Sequence, residues 1–149
     1  MSNNRYLKVY LAGKMTGLSF EDMNFWRKIA KDKLNHIASL SDYKLSVINP
    51  VEFYNFESKN YQSEEEIEDY DLAHVISSDI IIVNLEGLSD SIGTIIELHD
   101  AKYHHKIPVI AFGNKELYNN LHPWIKRNIT RVEETIDETI MYIKDFYMI

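Results

Sequence analysis

The sequence predicts an α/β fold built on a doubly wound sheet, and three observations predict it. Short apolar runs of strand length alternate with longer segments of helical spacing, most connections between them are short, and one run, Asp79–Leu85 (DIIIVNL), is apolar on both faces. Alternation with short connections favours parallel strands joined by helices that cover both faces of the sheet. A strand that is apolar all round belongs at the centre of such a sheet. A length of 149 residues with 45% hydrophobic content fits a single domain over residues 1–149. The expected architecture is flavodoxin- or Rossmann-like, with five mostly parallel strands flanked by helices.

Tyr6–Ala12 (YLKVYLA) is β-branched and aromatic and ends at Gly13, so it reads as a first strand entering a tight turn. Ser19-Phe-Glu-Asp22 has the spacing of a capping box, and Phe25, Trp26, Ile29, Ala30, Leu34 and Ile37 follow at helical spacing. Lys44–Asn49 is a second strand stopped by Pro50, and Val51–Gln62 is a long, aromatic-rich connection without periodicity. Ser63-Glu-Glu-Glu66 is another capping box, with Ile67, Leu72, Val75 and Ile76 as the apolar stripe behind it. After the central strand come a helix over Gly93–His105, a strand over Ile107–Phe112 and a short helix within Leu117–Arg127. Ile129–Val132 is a candidate edge strand, and Thr135–Tyr147 is a closing helix capped by Thr135-Ile-Asp-Glu138.

Composition narrows the function. A net charge of −7 argues against a nonspecific grip on polymeric DNA or RNA, which relies on cations neutralising phosphates. A small phosphorylated ligand remains open, since one nucleotide needs only a few donors and the amides at a helix start can supply them. The absence of cysteine removes disulfides, thiolate catalysis and cysteine-ligated metals, and nothing at Met1–Asn4 resembles a signal sequence, so a cytoplasmic location is expected. No apolar run approaches the ~20 residues needed to cross a bilayer. His74 and His104-His105 lack a third ligand at metal-binding spacing, so neither a metal nor a cofactor is expected. Gly13-x-x-x-Gly17 has neither Walker nor dinucleotide-fingerprint spacing, which disfavours an ATPase or a dehydrogenase. Trp26 and Trp124 read as core or interface residues.

In a doubly wound sheet, ligands bind beyond the carboxyl ends of the strands where strand order reverses, which directs attention to the loops Gly13–Leu18 and Glu86–Ile92. Two acids sit against the grain of their helices nearby. Asp71 falls four residues after Ile67 and four before Val75, inside the apolar stripe, where it is either a partly exposed helix-face aspartate or an inward carboxylate. Glu97 shares a face with Thr94, Leu98 and Ala101, and is either a surface glutamate favoured by the helix dipole or a carboxylate in the crevice. Two inward carboxylates can divide acid and base roles by burial. Such a pair suits glycosidic cleavage, where a carboxylate collapses onto an oxocarbenium-like anomeric carbon and an acid assists the leaving group.

Tyr10-Leu-Ala-Gly13, Asp71-Leu-Ala-His-Val-Ile-Ser-Ser-Asp79 and Ser91-Ile-Gly-Thr-Ile-Ile-Glu97, in this order and spacing, resemble the nucleoside 2-deoxyribosyltransferase superfamily from about Lys8 to Phe112. The resemblance implies an enzyme without cofactor that cleaves the N-glycosidic bond of a 2′-deoxynucleoside through a glycosyl-Glu97 intermediate and transfers the sugar to another base. It makes Glu97 the nucleophile, Asp71 the residue that orients and helps protonate the base, and Tyr10 the residue that positions the nucleophile. Gly13, Lys14, Met15, Asp90, Ser91 and Gly93 become substrate-binding residues. Asn120 resembles an asparagine that reaches a neighbouring subunit's site, which implies a homo-oligomer with shared sites. One departure is that Ser91 stands where nucleoside transferases carry an aspartate for the 5′-hydroxyl, with Asp90 one place earlier. Ser91-Ile-Gly resembles the branch that hydrolyses nucleoside 5′-monophosphates to free base, and Lys14 would add a cation for the phosphate. A third reading is a catalytically idle nucleotide-binding or signalling module. The Phe53–Tyr61 aromatics are either loop packing or a lid over a base.

Overall fold

The computed structural model describes residues 5–54 and 59–149; the 1–4 start and residues 55–58 of the aromatic connection lie outside the described residues. Among the described residues, β1 (Arg5–Ala12), β2 (Tyr43–Ile48), β3 (Ile80–Asn84), β4 (Val109–Phe112) and β5 (Arg131–Glu133) form an all-parallel sheet in the order β2-β1-β3-β4-β5. The helices are α1 (Phe20–Ser39), α2 (Glu64–Ile76), α3 (Ile92–His99), α4 (Lys115–Asn119), α5 (Pro123–Lys126) and α6 (Ile136–Tyr147).

The period-two alternation of the strands builds a core on each face. Val9 and Leu11 of β1, with Ile80, Ile82, Ile110 and Phe112, pack beneath Trp26, Ala30 and Leu34 of α1 and Ile140 and Ile143 of α6. Tyr10 and Ala12 face the other way with Ile81, Val83, Val109 and Ala111, beneath Val75 of α2 and Leu98 and Ala101 near α3. Ile80–Val83 are buried on both faces, as expected of a central strand, and Leu11, Ile82 and Ile110 lie in register across β1, β3 and β4.

Helix starts follow the expected caps. Ser19 accepts from the Asp22 amide, Thr135 from the Glu138 amide, and Ser63 and Glu66 complete a reciprocal capping box. Several sequence expectations shift. Phe25 is 70% exposed, and the buried side of α1 is instead Met23, Trp26, Arg27, Ala30 and Leu34, a stripe that still has helical period but is turned away from Phe25. Ile76, the last residue of α2, is exposed because Val75 makes the core contact. Asn49 leaves β2, and its side chain accepts from Val51 N to start a 3₁₀ turn at Pro50–Phe53. The helix expected from Gly93 to His105 changes at Asp100–His104 into a π-helical turn, which ends before Lys106 at a φ of 55°. The Leu117–Arg127 helix splits in two, since Pro123 opens α5 with His122 as its cap. Trp26 packs against Phe112 at 5.3 Å, whereas Trp124 is 71% exposed and outside the core. No helix among the described residues is long and apolar enough to cross a membrane.

Candidate active site

Strand order reverses between β1 and β3, and the loops leaving their carboxyl ends part to form a cleft of about 500 Å³. The 13–18 loop lines one side with Gly13, Lys14, Met15, Thr16, Gly17 and Leu18. The start of α3 lines another with Asp90, Ser91, Ile92, Gly93, Thr94 and Glu97, and Asp71 enters from α2. Of the residues singled out in the sequence, Gly13, Lys14, Met15, Asp71, Asp90, Ser91, Gly93 and Glu97 therefore meet at one place. Tyr10 lies buried directly behind them. Asn120 does not line this cleft: it caps the end of α4, exposed, in the connection that leaves the carboxyl end of β4.

Glu97 is placed by the helical period of α3, which buries Thr94 and Leu98 against the sheet and leaves Glu97 between them and the cleft. The residue keeps some exposed surface toward the cleft, but its Oε2 is closed off and has no hydrogen-bond partner among the described residues. Buried polar atoms are usually paired, so this oxygen calls for an explanation such as a catalytic role or an ordered water. Burial raises the Glu97 carboxyl to about 8; a hydrogen bond from Tyr10 and the charge of Arg27 pull against the rise, and Asp71 adds to it. Tyr10 is pushed well above its ordinary value by burial and then by Glu97 and Asp71, so it stays a protonated donor toward Glu97.

Asp71 interrupts the apolar stripe of α2 because it faces the cleft rather than the sheet. Burial raises it to about 6, against a hydrogen bond from Tyr54 and the charge of Arg27. The Tyr54 hydroxyl donates to Asp71 Oδ1 at 2.6 Å, and burial together with this bond raises the Tyr54 hydroxyl far above its ordinary value. Burial thus raises both carboxyls above the ordinary carboxylate range, Glu97 more than Asp71.

Ser91, Gly93 and Lys14 have their own geometry. The Ser91 hydroxyl is 2.6 Å from the Thr94 hydroxyl and does not cap α3, so the first amides of that helix have no side-chain cap. A Cβ at Gly93 would meet no protein atom within 4 Å, which gives the space above it to the cleft. Gly87, at a φ of 71°, sits under the Lys14 stem, where a Cβ would come within 2.6 Å of Lys14 Cδ, so Lys14 is laid along the 86–91 loop. Among the described residues lining the cleft, four carboxyl groups (Glu64, Asp71, Asp90, Glu97) face the single cation Lys14.

Sequence reasoning missed Arg27 as a buried cation, and it left the Phe53–Tyr61 aromatics open between loop packing and a lid. Tyr54 and Tyr61 line the cleft from the aromatic connection, with rings 5.7 Å apart, while Phe53 instead packs on Tyr70 and His74. That connection thus divides between packing and cleft wall, a split that its lack of periodicity hides. Arg27 carried a readable signal, since it recurs with Met23, Ala30 and Leu34 and places a cation inside an apolar stripe, as Asp71 places an acid in its own.

No protein-family model and no curated protein sequence matches the chain. Solved structures do. A conserved protein from Enterococcus faecalis V583 superposes with a TM-score of 0.72 at 18% identity, covering 94% of this chain and 98% of that one. A 2-deoxyribosyltransferase from Bacillus psychrosaccharolyticus superposes with a TM-score of 0.58 at 20% identity, covering 91% of each chain. The all-parallel 2-1-3-4-5 sheet, the helices on both its faces and these superpositions together give the chain the doubly wound fold of the 2-deoxyribosyltransferases.

Proposed function

We propose that the chain is an enzyme of the nucleoside 2-deoxyribosyltransferase superfamily that cleaves the N-glycosidic bond of a 2′-deoxynucleoside and transfers the sugar to a second base. The observation that carries the reading is the convergence of Glu97, Asp71 and Tyr10 at the β1/β3 switch point, with a buried Glu97 oxygen left without a partner. Glu97 attacks the anomeric carbon, the bond to the base breaks, and the leaving base takes a proton from Asp71. Burial raises both carboxyls, which lets the pair hold a proton near neutral pH, and Asp71 delivers it as the base docks and offers a ring nitrogen as acceptor. Tyr10 holds the carboxylate that remains, and Tyr54 fixes Asp71 Oδ1, leaving Oδ2 for the base. The acceptor base then attacks the glycosyl-Glu97 ester and returns its proton to Asp71. The absence of an electron-withdrawing 2′-hydroxyl makes the oxocarbenium easier to form, so a site of carboxylates and positioned donors suffices.

A second reading, hydrolysis of a nucleoside 5′-monophosphate, is favoured by Ser91, the uncapped amides of α3 and the course of Lys14 along the neighbouring loop. Glu64 and Asp90, with the charge left on the Glu97–Asp71 pair, against one lysine weigh the other way, toward a neutral 5′ end. A chromatographic assay offering deoxynucleosides and their 5′-monophosphates, each with and without an acceptor base, separates the two. Base exchange on nucleosides supports the transferase. Free base released only from monophosphates, with greater loss on those substrates in Lys14→Ala, assigns the hydrolase, and no base release from any substrate rejects both.

The same reading includes a homo-oligomer in a cytoplasmic setting. Asn120 is exposed outside its own cleft, and Ile92 at the cleft edge is 75% exposed, which supports a second copy completing the site.

A further inference from the structure

Helices α1, α2 and α6 each start on a hydroxyl that accepts the amide three residues on, from Ser19, Ser63 and Thr135. Helix α3 starts on Ser91 and does not. The Ser91 hydroxyl lies instead 2.6 Å from that of Thr94, and among the described residues this is the one hydrogen bond of either side chain. Thr94 is equally out of pattern. The buried Thr139 donates to the Thr135 carbonyl one turn back, as helical threonines commonly do. Valine would fill the place of Thr94, one turn before the buried Leu98, so a hydroxyl on this face calls for a reason.

Burial sets the polarity of the pair. Each hydroxyl has one proton, so whichever donates within the pair leaves its partner with a proton to place. Were Ser91 the donor, the spare proton would sit on Thr94, which is 3% exposed and has no other acceptor among the described residues. With Thr94 as donor the spare proton sits on Ser91, half-buried in the cleft wall. A hydroxyl that accepts a bond is also the stronger donor. Ser91 thus presents an O–H to the cleft about 9 Å before Glu97 along the helix axis. The long Glu97 side chain leans back toward the helix start, which shortens that gap toward the size of a furanose with its exocyclic 5′ carbon.

We propose that Thr94 is a positioning residue for the 5′ end of the substrate: its buried hydroxyl donates to Ser91 and turns the Ser91 proton toward an acceptor oxygen on the 5′ carbon, of a hydroxyl or a phosphate. The inference rests on the glycosidic reading of the cleft.

The test compares kcat/KM on three substrates carrying the same base: a 2′-deoxynucleoside, its 5′-monophosphate and the 2′,5′-dideoxynucleoside, which has no 5′ oxygen. In Thr94→Val, Ser91 loses its donor and is free to swing onto the residue-94 amide as an ordinary cap. The advantage of a 5′-oxygenated substrate over the dideoxynucleoside then falls by about 3- to 10-fold, the worth of one hydrogen bond. It falls more for the nucleoside or for the monophosphate according to which oxygen Ser91 meets. Thr94→Ser restores the advantage, and Thr94→Val has no further effect on it once Ser91→Ala is present. Equal loss on all three substrates, or a fall that persists in the Ser91→Ala background, overturns the role of Thr94 and leaves the reaction standing. A wild-type chain that releases base from none of the three removes the reaction and the role together. Should Thr94→Val fail to fold, neutron diffraction from deuterium-exchanged wild-type crystals decides. A deuteron on Thr94 pointing to Ser91, with the Ser91 deuteron facing the cleft, supports the proposal, and the reverse order overturns it.

Discussion

Replacing Glu97 by glutamine removes a buried titration while keeping shape, so its effect on stability depends on pH in a way that can be worked out. The wild-type carboxyl titrates near its ordinary value of 4.5 in the unfolded chain and at about 8 in the folded one. Between those values the folded protein holds a proton that the unfolded chain releases, so wild-type stability falls as pH rises through the window and levels off above about 8. At ~1.4 kcal/mol per pH unit, the full loss has a ceiling of about 5 kcal/mol. The cleft admits water to one side of Glu97, and relaxation of this kind lowers the expected figure to about 2–3 kcal/mol. Asp71 titrates in the same sense in both proteins and largely cancels from the difference. Glu97→Gln should therefore match wild type near pH 5 and exceed it at pH 9 by a melting-temperature gain of roughly 4–12 °C for a chain of this size. Thermal unfolding by circular dichroism across that range measures the gap. A gap that does not widen with pH would refute a buried, proton-holding Glu97.

Three further outcomes follow from named contacts. Tyr54→Phe removes the hydrogen bond that favours ionised Asp71, so Asp71 rises above about 6 and the acid limb of kcat/KM against pH moves upward; an unmoved limb counts against Asp71 as the partner acid. Gly13→Ala forces a Cβ against Trp26 and Arg27 and should cost about 1–3 kcal/mol in denaturant unfolding, with a loss below the error of the measurement contradicting the close approach. Mixing inactive Glu97→Ala and Asn120→Ala subunits should restore activity through hybrid interfaces that hold one intact site, and a fully active monomer would remove the trans role of Asn120.

The parts of the fold that were legible in the sequence are those fixed by local chemistry. The apolar run at Ile80–Val83 could only be a central strand, and Ser63 with Glu66 could be read as a cap because both partners lie within one turn. The acids were legible for a related reason: Asp71 and Glu97 each break a helical pattern, and a pattern exposes its own violations. What the pattern does not encode is the rotation of a helix about its axis, which is set by the surface it meets; hence Phe25 was assigned to the core of α1 and Arg27 was overlooked. Tyr54 and Tyr61 come from a segment without period, and their contact with the cleft depends on how the chain leaves the 3₁₀ turn at Pro50–Phe53 to reach α2. The π-helical turn at Asp100–His104, which packs against α2, is likewise unmarked in the sequence, since the run from Gly93 reads as one continuous helix.

The central claim is that Glu97 bonds to the sugar. Its most direct measurement is intact-protein and peptide mass spectrometry after rapid quench of the protein with a 2′-deoxynucleoside, repeated with the 5′-monophosphate, and with Glu97→Gln as control. The proposed mechanism predicts stoichiometric release of base in the first turnover and a deoxyribosyl or phosphodeoxyribosyl adduct on the peptide carrying Glu97, discharged by added acceptor base or by water and absent from Glu97→Gln. Base release without an adduct, accompanied by comparable turnover in Glu97→Gln, would contradict it.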